Sequence, residues 1–362
     1  ADLETLTGRR PVTLLGREWQ FRPGAVGSRD WERSRLAALY ALAQGDAPVV
    51  VATADGLMAR TLPPETLRSL AITLEVGGQA ELGALAEQLL SAGYTRCEQV
   101  EGVGQFALRG GILDVFSPLM DQPVRCEFFD DEIDSMGAFD PGTQRRTRNV
   151  SSARILPAAE VLPHCAPGGL PGLADQLTAL AEKLAKKQKT EAIVQTLRED
   201  AERLRSGAAP GAADRYLAAI YPTVTAGVHY LPPDAVVFLS ESGRVDERVK
   251  NTVLQQKQDV EALLSAGVLA GEYAHLTLTA EELYAALEDF PVILEDSLPT
   301  SRHPLRPRGL LTMNAKQLSS YGGSLETAVT DLEHYRSSGS AVLVLCGGET
   351  RAKNLHRLLE EK

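Results

Sequence analysis

The sequence predicts an α/β chain into which a small α+β domain with an antiparallel sheet is inserted, and three observations carry that prediction. Short branched runs, APVVVAT at 47–53, AVVFL at 235–239 and AVLVL at 341–345, alternate with amphipathic helical stretches, the pattern of one parallel sheet covered on both faces. Between the first two runs the texture changes. Over 69–157 a helix with Leu82, Leu85, Leu89 and Leu90 on one side precedes three consecutive strand-like runs at 105–108, 111–116 and 124–129. Finally, no Gly-x-x-x-x-Gly-Lys-Ser/Thr occurs in the 362 residues, so the α/β part reads as lacking a phosphate loop. The expected division is 1–68 as the first part of the α/β domain, truncated at its amino end, 69–157 as the insertion, and 158–362 as the second part. That second part carries a helical excursion and a mobile small-residue linker near 206–214.

Each element has a local reason. Residues 1–7 read as the tail of a helix and 12–15 as a strand; Ser28 then caps a helix whose stripe is Leu36, Leu39, Tyr40 and Ala43, up to Gly45. A helix over 55–60 is stopped by Pro63-Pro64, 71–76 is a strand, the helix over 80–92 closes at Gly93, and 94–100 is a further strand. Then come the three runs of a β-meander, separated by Gly110-Gly111, by a Pro-bearing loop and by an acidic turn of Asp130, Asp131, Glu132 and Asp134. Residues 173–204 read as one helix. Its lysines 183, 186, 187 and 189 lie among Glu182, Glu191, Glu199, Asp200 and Glu202, the composition of a solvated face. Helices over 246–264, 280–287, 325–337 and 350–360 alternate with short strands at 276–278, 291–294 and 341–345.

Composition narrows the function classes. With 44% hydrophobic and 23% charged residues the chain is an ordinary globular one, too long for a single small core. No apolar run approaches the roughly 20 residues that cross a bilayer. The chain begins at Ala1 with no charged-then-apolar leader, so a cytoplasmic fragment is expected. A net charge of −11 argues against a broad duplex-DNA footprint. Cys97, Cys126, Cys165 and Cys346 show no zinc spacing and read as reduced thiols.

Catalytic chemistry finds no support in the motifs. The six histidines share no ligand spacing, and Ser117, Ser135 and Ser240 lack the Gly-x-Ser-x-Gly setting of a nucleophile elbow. Glu241 follows a strand where a motor domain places its magnesium carboxylate; without a phosphate loop it reads as a strand-end cap. By contrast, Arg109 sits at the break between two runs and Asp114 interrupts an apolar one. Charged turns with aromatic strands, and neither nucleophile nor base, suit recognition of another protein.

The residues of this stretch also carry a resemblance. Gly93-Tyr94 with Arg96, the run Gly104-Gln105-Phe106-Ala107-Leu108-Arg109-Gly110, Ile112-Leu113-Asp114-Val115-Phe116, the run 127–134, Thr143-Gln144-Arg145 and Leu156-Pro157-Ala158-Ala159-Glu160 together resemble the UvrB-homology module of the bacterial transcription-repair coupling factor (Mfd) family. The likeness is strong over 70–162 and loose over the rest. It implies a discontinuous UvrB-like α/β domain without ATPase motifs, carrying an inserted UvrA-binding domain, so that this chain is a non-catalytic adaptor in nucleotide excision repair that brings UvrA to stalled RNA polymerase. ATP, magnesium, the translocase motor, and the RNA polymerase and double-stranded DNA contacts belong, by the same resemblance, to other regions of such proteins. The alternative is a UvrB-like ATP-dependent helicase or repair fragment with a diverged nucleotide site. The UvrA contacts implied are Arg96 and Arg109, with Gln99, Phe106 and Phe116 as neighbours. UvrB carries a further arginine where this chain has Ala107, so a three-arginine contact does not carry over. Arg109 has a second possible role as a fold-stabilising partner of Asp114 or Glu127, and Phe116 taken alone reads as core.

Overall fold

Val12, Thr13 and Leu14 (strand β1) pair in parallel with Val50, Val51 and Ala52 (β2), and the computed structural model builds outward from that pair. It describes residues 2–22, 30–47, 49–187, 190–298, 302–312, 324–344 and 346–360. The helix-capping role expected of Ser28, the residues Lys189 and Leu345, and their neighbours at the gaps lie outside the described set. By their contacts the residues form two units, Ala1–Pro307 and Arg308–Lys362.

In the first unit, helix Asp30–Gln44 lays Leu36, Leu39 and Leu42 against Leu14, Leu62 and Leu67. Thr53 caps the short helix Ala54–Met58 by accepting from the Gly56 N–H, which satisfies one of its orphan donors. The expected single helix over 173–204 is two helices, Gly169–Leu184 and Glu191–Arg205. Folding back lets their apolar stripes, Leu173, Leu177 and Leu180 on one and Val194, Leu197 and Leu204 on the other, join one core instead of facing water. The expected mobile linker at 206–214 is pinned at its far end: Asp214 is buried and accepts from Arg17 Nη2 at 2.8 Å and from the Gln20 N–H at 2.7 Å.

The branched runs at 47–53 and 235–239 lie in two different sheets. β1 and β2 make one two-stranded parallel sheet. Val237–Ser240 and Val292–Glu295 make another, and among the described residues of the 341–345 run, 341–344, there is no strand. Val51, Phe238 and Ile293 are exposed. A continuous branched run of this length cannot distinguish a strand covered on both faces from one covered on one, and here only the Leu14 and Leu239 sides are buried. The expected strand at 276–278 reduces to a bridge between Ala59 and Thr277. Glu241 sits in the left-handed region at φ 55° and gives its helix no side-chain cap; its carboxylate accepts from the Ser297 hydroxyl.

Ile72–Glu75 (β3) pairs antiparallel with Ser152–Ile155, and the residues between them build a six-stranded sheet. Its strands run in sequence order: β4 Thr95–Arg96, β5 Gln105–Arg109, β6 Ile112–Val115, β7 Val124–Phe129, β8 Glu132–Phe139 and β9 Arg146–Asn149, with Ser152–Ile155 completing the count as β10. All pairs are antiparallel except β4–β5. The expected strand over 94–100 shrinks to two residues, and the expected acidic turn shrinks to Asp130-Asp131, with Asp130 at φ 53°; Glu132 and Asp134 belong to β8, the longest strand. Helix Leu82–Ser91 packs Leu85 and Leu89 onto one face of the sheet, against Phe106, Leu113, Cys126 and Met136.

This core shares no buried residue with that of the surrounding helices. Where the chain re-enters those helices, Glu160 is fully buried; its Oε2 accepts from Thr61 Oγ1 at 2.6 Å and from Arg35 Nε at 3.2 Å, with Arg17 Nη1 at 3.6 Å. Its N–H donates to Glu32 Oε1.

In the second unit, helices Leu325–Ser337 and Glu349–Glu360 expose most of their residues; Ser324 caps the former by accepting from the Thr327 N–H.

Candidate protein-binding surface

Strand alternation divides the six-stranded sheet into two faces. Phe106, Leu113, Val115, Val124 and Cys126 face the helix, while Ala107, Arg109, Asp114 and Arg125 point the other way. On that outer side a second small cluster forms from Val100, Ala107, Phe116 and Phe139.

Arg96 lies on the short edge strand, opposite Phe106 in register, and is exposed. Arg109 ends β5 at the Gly110-Gly111 turn, where Gly110 adopts φ 59°, a conformation that favours glycine. With Cys97, Glu98, Gln99 and Leu108 the two arginines line a cup of about 500 Å³. Three of the five residues expected at the site are therefore brought together. The other two are not available to a partner. Phe106 is 0% exposed on the helix-facing side and Phe116 is 8% exposed in the outer cluster, so both act in packing and their expected contact roles are corrected accordingly.

Arg109 is half-exposed and also makes the pair anticipated for it: its Nη2 donates to Asp114 Oδ2 at 2.7 Å. Asp114 receives Arg125 as well, Nε to Oδ1 at 2.7 Å and Nη2 to Oδ2 at 2.8 Å. This two-pronged pairing raises the Arg125 pKa, its hydrogen bonds to the Asp114 carboxylate being the main cause. The Arg125 guanidinium also stacks over Phe139 at 4.7 Å. Gln144, at φ 59°, accepts from Arg125 and donates its Nε2 to the Val100 carbonyl at 3.1 Å. The sequence marks Asp114 as an interruption of an apolar run and as a possible partner of Arg109, and gives no role to Arg125 or Gln144. The cross-strand pairing of an aspartate and an arginine on neighbouring strands was the signal available.

Cys97 lines the cup and Cys126 lies in the helix-facing core of the same sheet. Burial raises the Cys97 pKa and pushes Cys126 up to about 12, and all four cysteines are free. Among the described residues no cluster of His, Cys, Asp or Glu could hold a metal, and no helix is long and apolar enough to cross a membrane.

A second cavity, of about 660 Å³, opens at the carboxyl ends of β1 and β2, where open α/β sheets bind ligands. Two of its three arginines are already matched by carboxylates, Arg17 by Asp214 and Arg248 by Asp55 at 3.2 Å.

Comparison with known proteins falls on the same sheet. Residues 72–160 match the family model of the UvrB interaction domain. Over nearly all its length the chain is similar to transcription-repair-coupling factors. It is 27% identical to that of Bacillus subtilis over 364 residues, covering 99% of this chain and 31% of the relative. It is 30% identical to that of Myxococcus xanthus over 344 residues (91% and 28%) and 25% identical to that of Staphylococcus aureus over 337 residues (90% and 28%). The family resemblance read from the sequence is thereby borne out. The chain spans about three-tenths of the length of these curated relatives.

Proposed function

We propose that this chain is the non-catalytic UvrA-docking region of a transcription-repair coupling factor, acting in the cytoplasm, and that the cup of Arg96, Gln99 and Arg109 is its contact surface. In this reading the residues around the sheet are a discontinuous UvrB-like α/β frame without a phosphate loop, divided as 1–68 and 158–362 about the inserted domain. UvrA is its direct partner. Nucleotide, RNA polymerase and duplex DNA are engaged by other regions of such proteins, and this chain takes no cofactor.

One observation carries the reading: two arginines from neighbouring strands, set on alternate faces by the β4–β5 register, both border a single cup at the sheet edge beside an exposed amide, within the segment that matches the UvrB interaction domain. Arginine presents a rigid fork of donors that pairs bidentately with carboxylates and is enriched among interface hot spots. The seven cations between residues 72 and 160 are all arginines.

Titration of this chain with UvrA from the same organism tests the proposal. Saturable binding is expected, and its absence would remove UvrA as the partner. The cavity at the ends of β1 and β2 is the feature that would favour a diverged nucleotide site. Saturable binding of a fluorescent ATP analogue there, reversed by unlabelled ATP, would replace the adaptor reading with the enzymatic one.

A further inference from the structure

We infer that Asp114 is a positioning residue for the docking surface: its buried carboxylate, clamped from behind by Arg125, holds the Arg109 guanidinium at the rim of the cup. The inference rests on the docking role proposed above for Arg109.

Fold stability alone does not call for this arrangement. The Asp114 side chain is 1% exposed, and a buried carboxylate needs a partner; Arg125 supplies one in full, through two bonds of 2.7 and 2.8 Å. Arg125 is in turn held by stacking on Phe139 and by Gln144. The third bond, from Arg109 at 2.7 Å, is therefore surplus to neutralising the carboxylate. Its consequence falls on Arg109. The end of a strand at a Gly-Gly turn leaves a long side chain many rotamers, and binding through it would first have to order it. Anchoring Nη2 to a rigid carboxylate does that ordering in the free protein, which is how preorganisation improves affinity. Only Nη2 is used, so Nε and Nη1 remain for a partner.

Two further features fit. With Asp114 matched by Arg125, the cup's own charges are Arg96 and Arg109 against Glu98, an excess of positive charge that suits an acidic side chain from the partner. And the network does not stop at Arg109, since Gln144 Nε2 binds the Val100 carbonyl next to Gln99, so both sides of the cup are braced by the same chain of bonds.

A double-mutant cycle tests this, with UvrA titrated into the wild-type chain, Asp114→Asn, Arg109→Ala and the double variant, and melting followed for each. Arg109→Ala is expected to weaken binding about 30-fold, as for an interface arginine, and Asp114→Asn about fivefold by loss of preorganisation. The double variant should bind no more weakly than Arg109→Ala. If Asp114→Asn weakens binding by the same factor in both backgrounds, Asp114 acts through the fold and the inference is wrong while the docking surface stands. Wild-type affinity in Asp114→Asn overturns the inference in the same way. If Arg109→Ala binds like wild type, the docking role of Arg109 fails and the inference with it. Should Asp114→Asn not fold, Arg125→Lys takes its place in the cycle. It keeps the charge beside Asp114 but loses the two-pronged clamp, and the same non-additivity with Arg109→Ala is expected.

Discussion

Reversing the charge of Arg96 separates binding from folding most cleanly. Arg96 is exposed on the edge strand, and among the described residues it has no ion pair or side-chain hydrogen bond that a substitution would break. Surface substitutions of that kind stay within about 0.5 kcal/mol, so the melting temperature of Arg96→Glu should fall within about 2 °C of wild type. The effect on UvrA should be far larger. Losing an interface arginine costs about 2 kcal/mol, and placing a carboxylate where the partner offers one adds about 1 kcal/mol of repulsion for charges near 4 Å in water. Together that is about 3 kcal/mol, or roughly 150-fold in Kd. Calorimetric titration at 0.1 M salt measures it directly. Repeating the wild-type titration at 1 M salt, where the Debye length drops from about 10 Å to 3 Å, should weaken binding if the contact is ionic. Binding within threefold of wild type, in a variant that melts normally, would show that Arg96 lies outside the interface and that the cup is not the docking site.

Two further predictions concern buried residues, one under the sheet and one where the chain re-enters the surrounding helices. Phe106→Ala, at a fully buried position, should cost about 3–5 kcal/mol of stability by leaving a cavity, while the folded fraction binds UvrA with unchanged affinity; denaturant melts and titration on one preparation check both. For Glu160, burial alone would raise the carboxyl, but Arg35, Arg17 and the Thr61 hydroxyl together hold it below the usual carboxylate range. A depressed folded pKa means the contribution is intact above the unfolded value of about 4.3 and is lost as pH falls through the folded one. Stability measured by urea between pH 7 and pH 3 should therefore decline below about pH 4 in wild type. Glu160→Gln should start about 3–5 kcal/mol lower and decline less steeply over that interval.

What could be read from the sequence, and what could not, follows from parity and from distance along the chain. The strands β5 to β7 were legible because Gly-Gly and Pro-bearing breaks separate them. Strand β8 was hidden in an apparent acidic turn for a specific reason. Its buried residues Ile133 and Met136 are three apart, which breaks a period of two, because the register shifts between Glu127 and Phe128 and leaves Asp134 as the extra residue. Parity would also have removed Phe106 from the site, since a residue three before Arg109 on the same strand points to the opposite face. It could not have removed Phe116, which shares the outer side with Arg109 and Asp114. Phe116 is buried by loops that come from residues near 100 and 140, tied to each other by Gln144, and no local pattern announces that contact. The same closure accounts for Ala107. It faces outward, where UvrB carries an arginine, yet is 1% exposed in a cluster with Val100, Phe116 and Phe139. A guanidinium at that position would need either an open loop or a buried unpaired charge. If the proposed docking role holds, the closed loop of this chain goes with a contact built on Arg96 and Arg109, of which Arg109 alone is anchored among the described residues of the free chain, by Asp114.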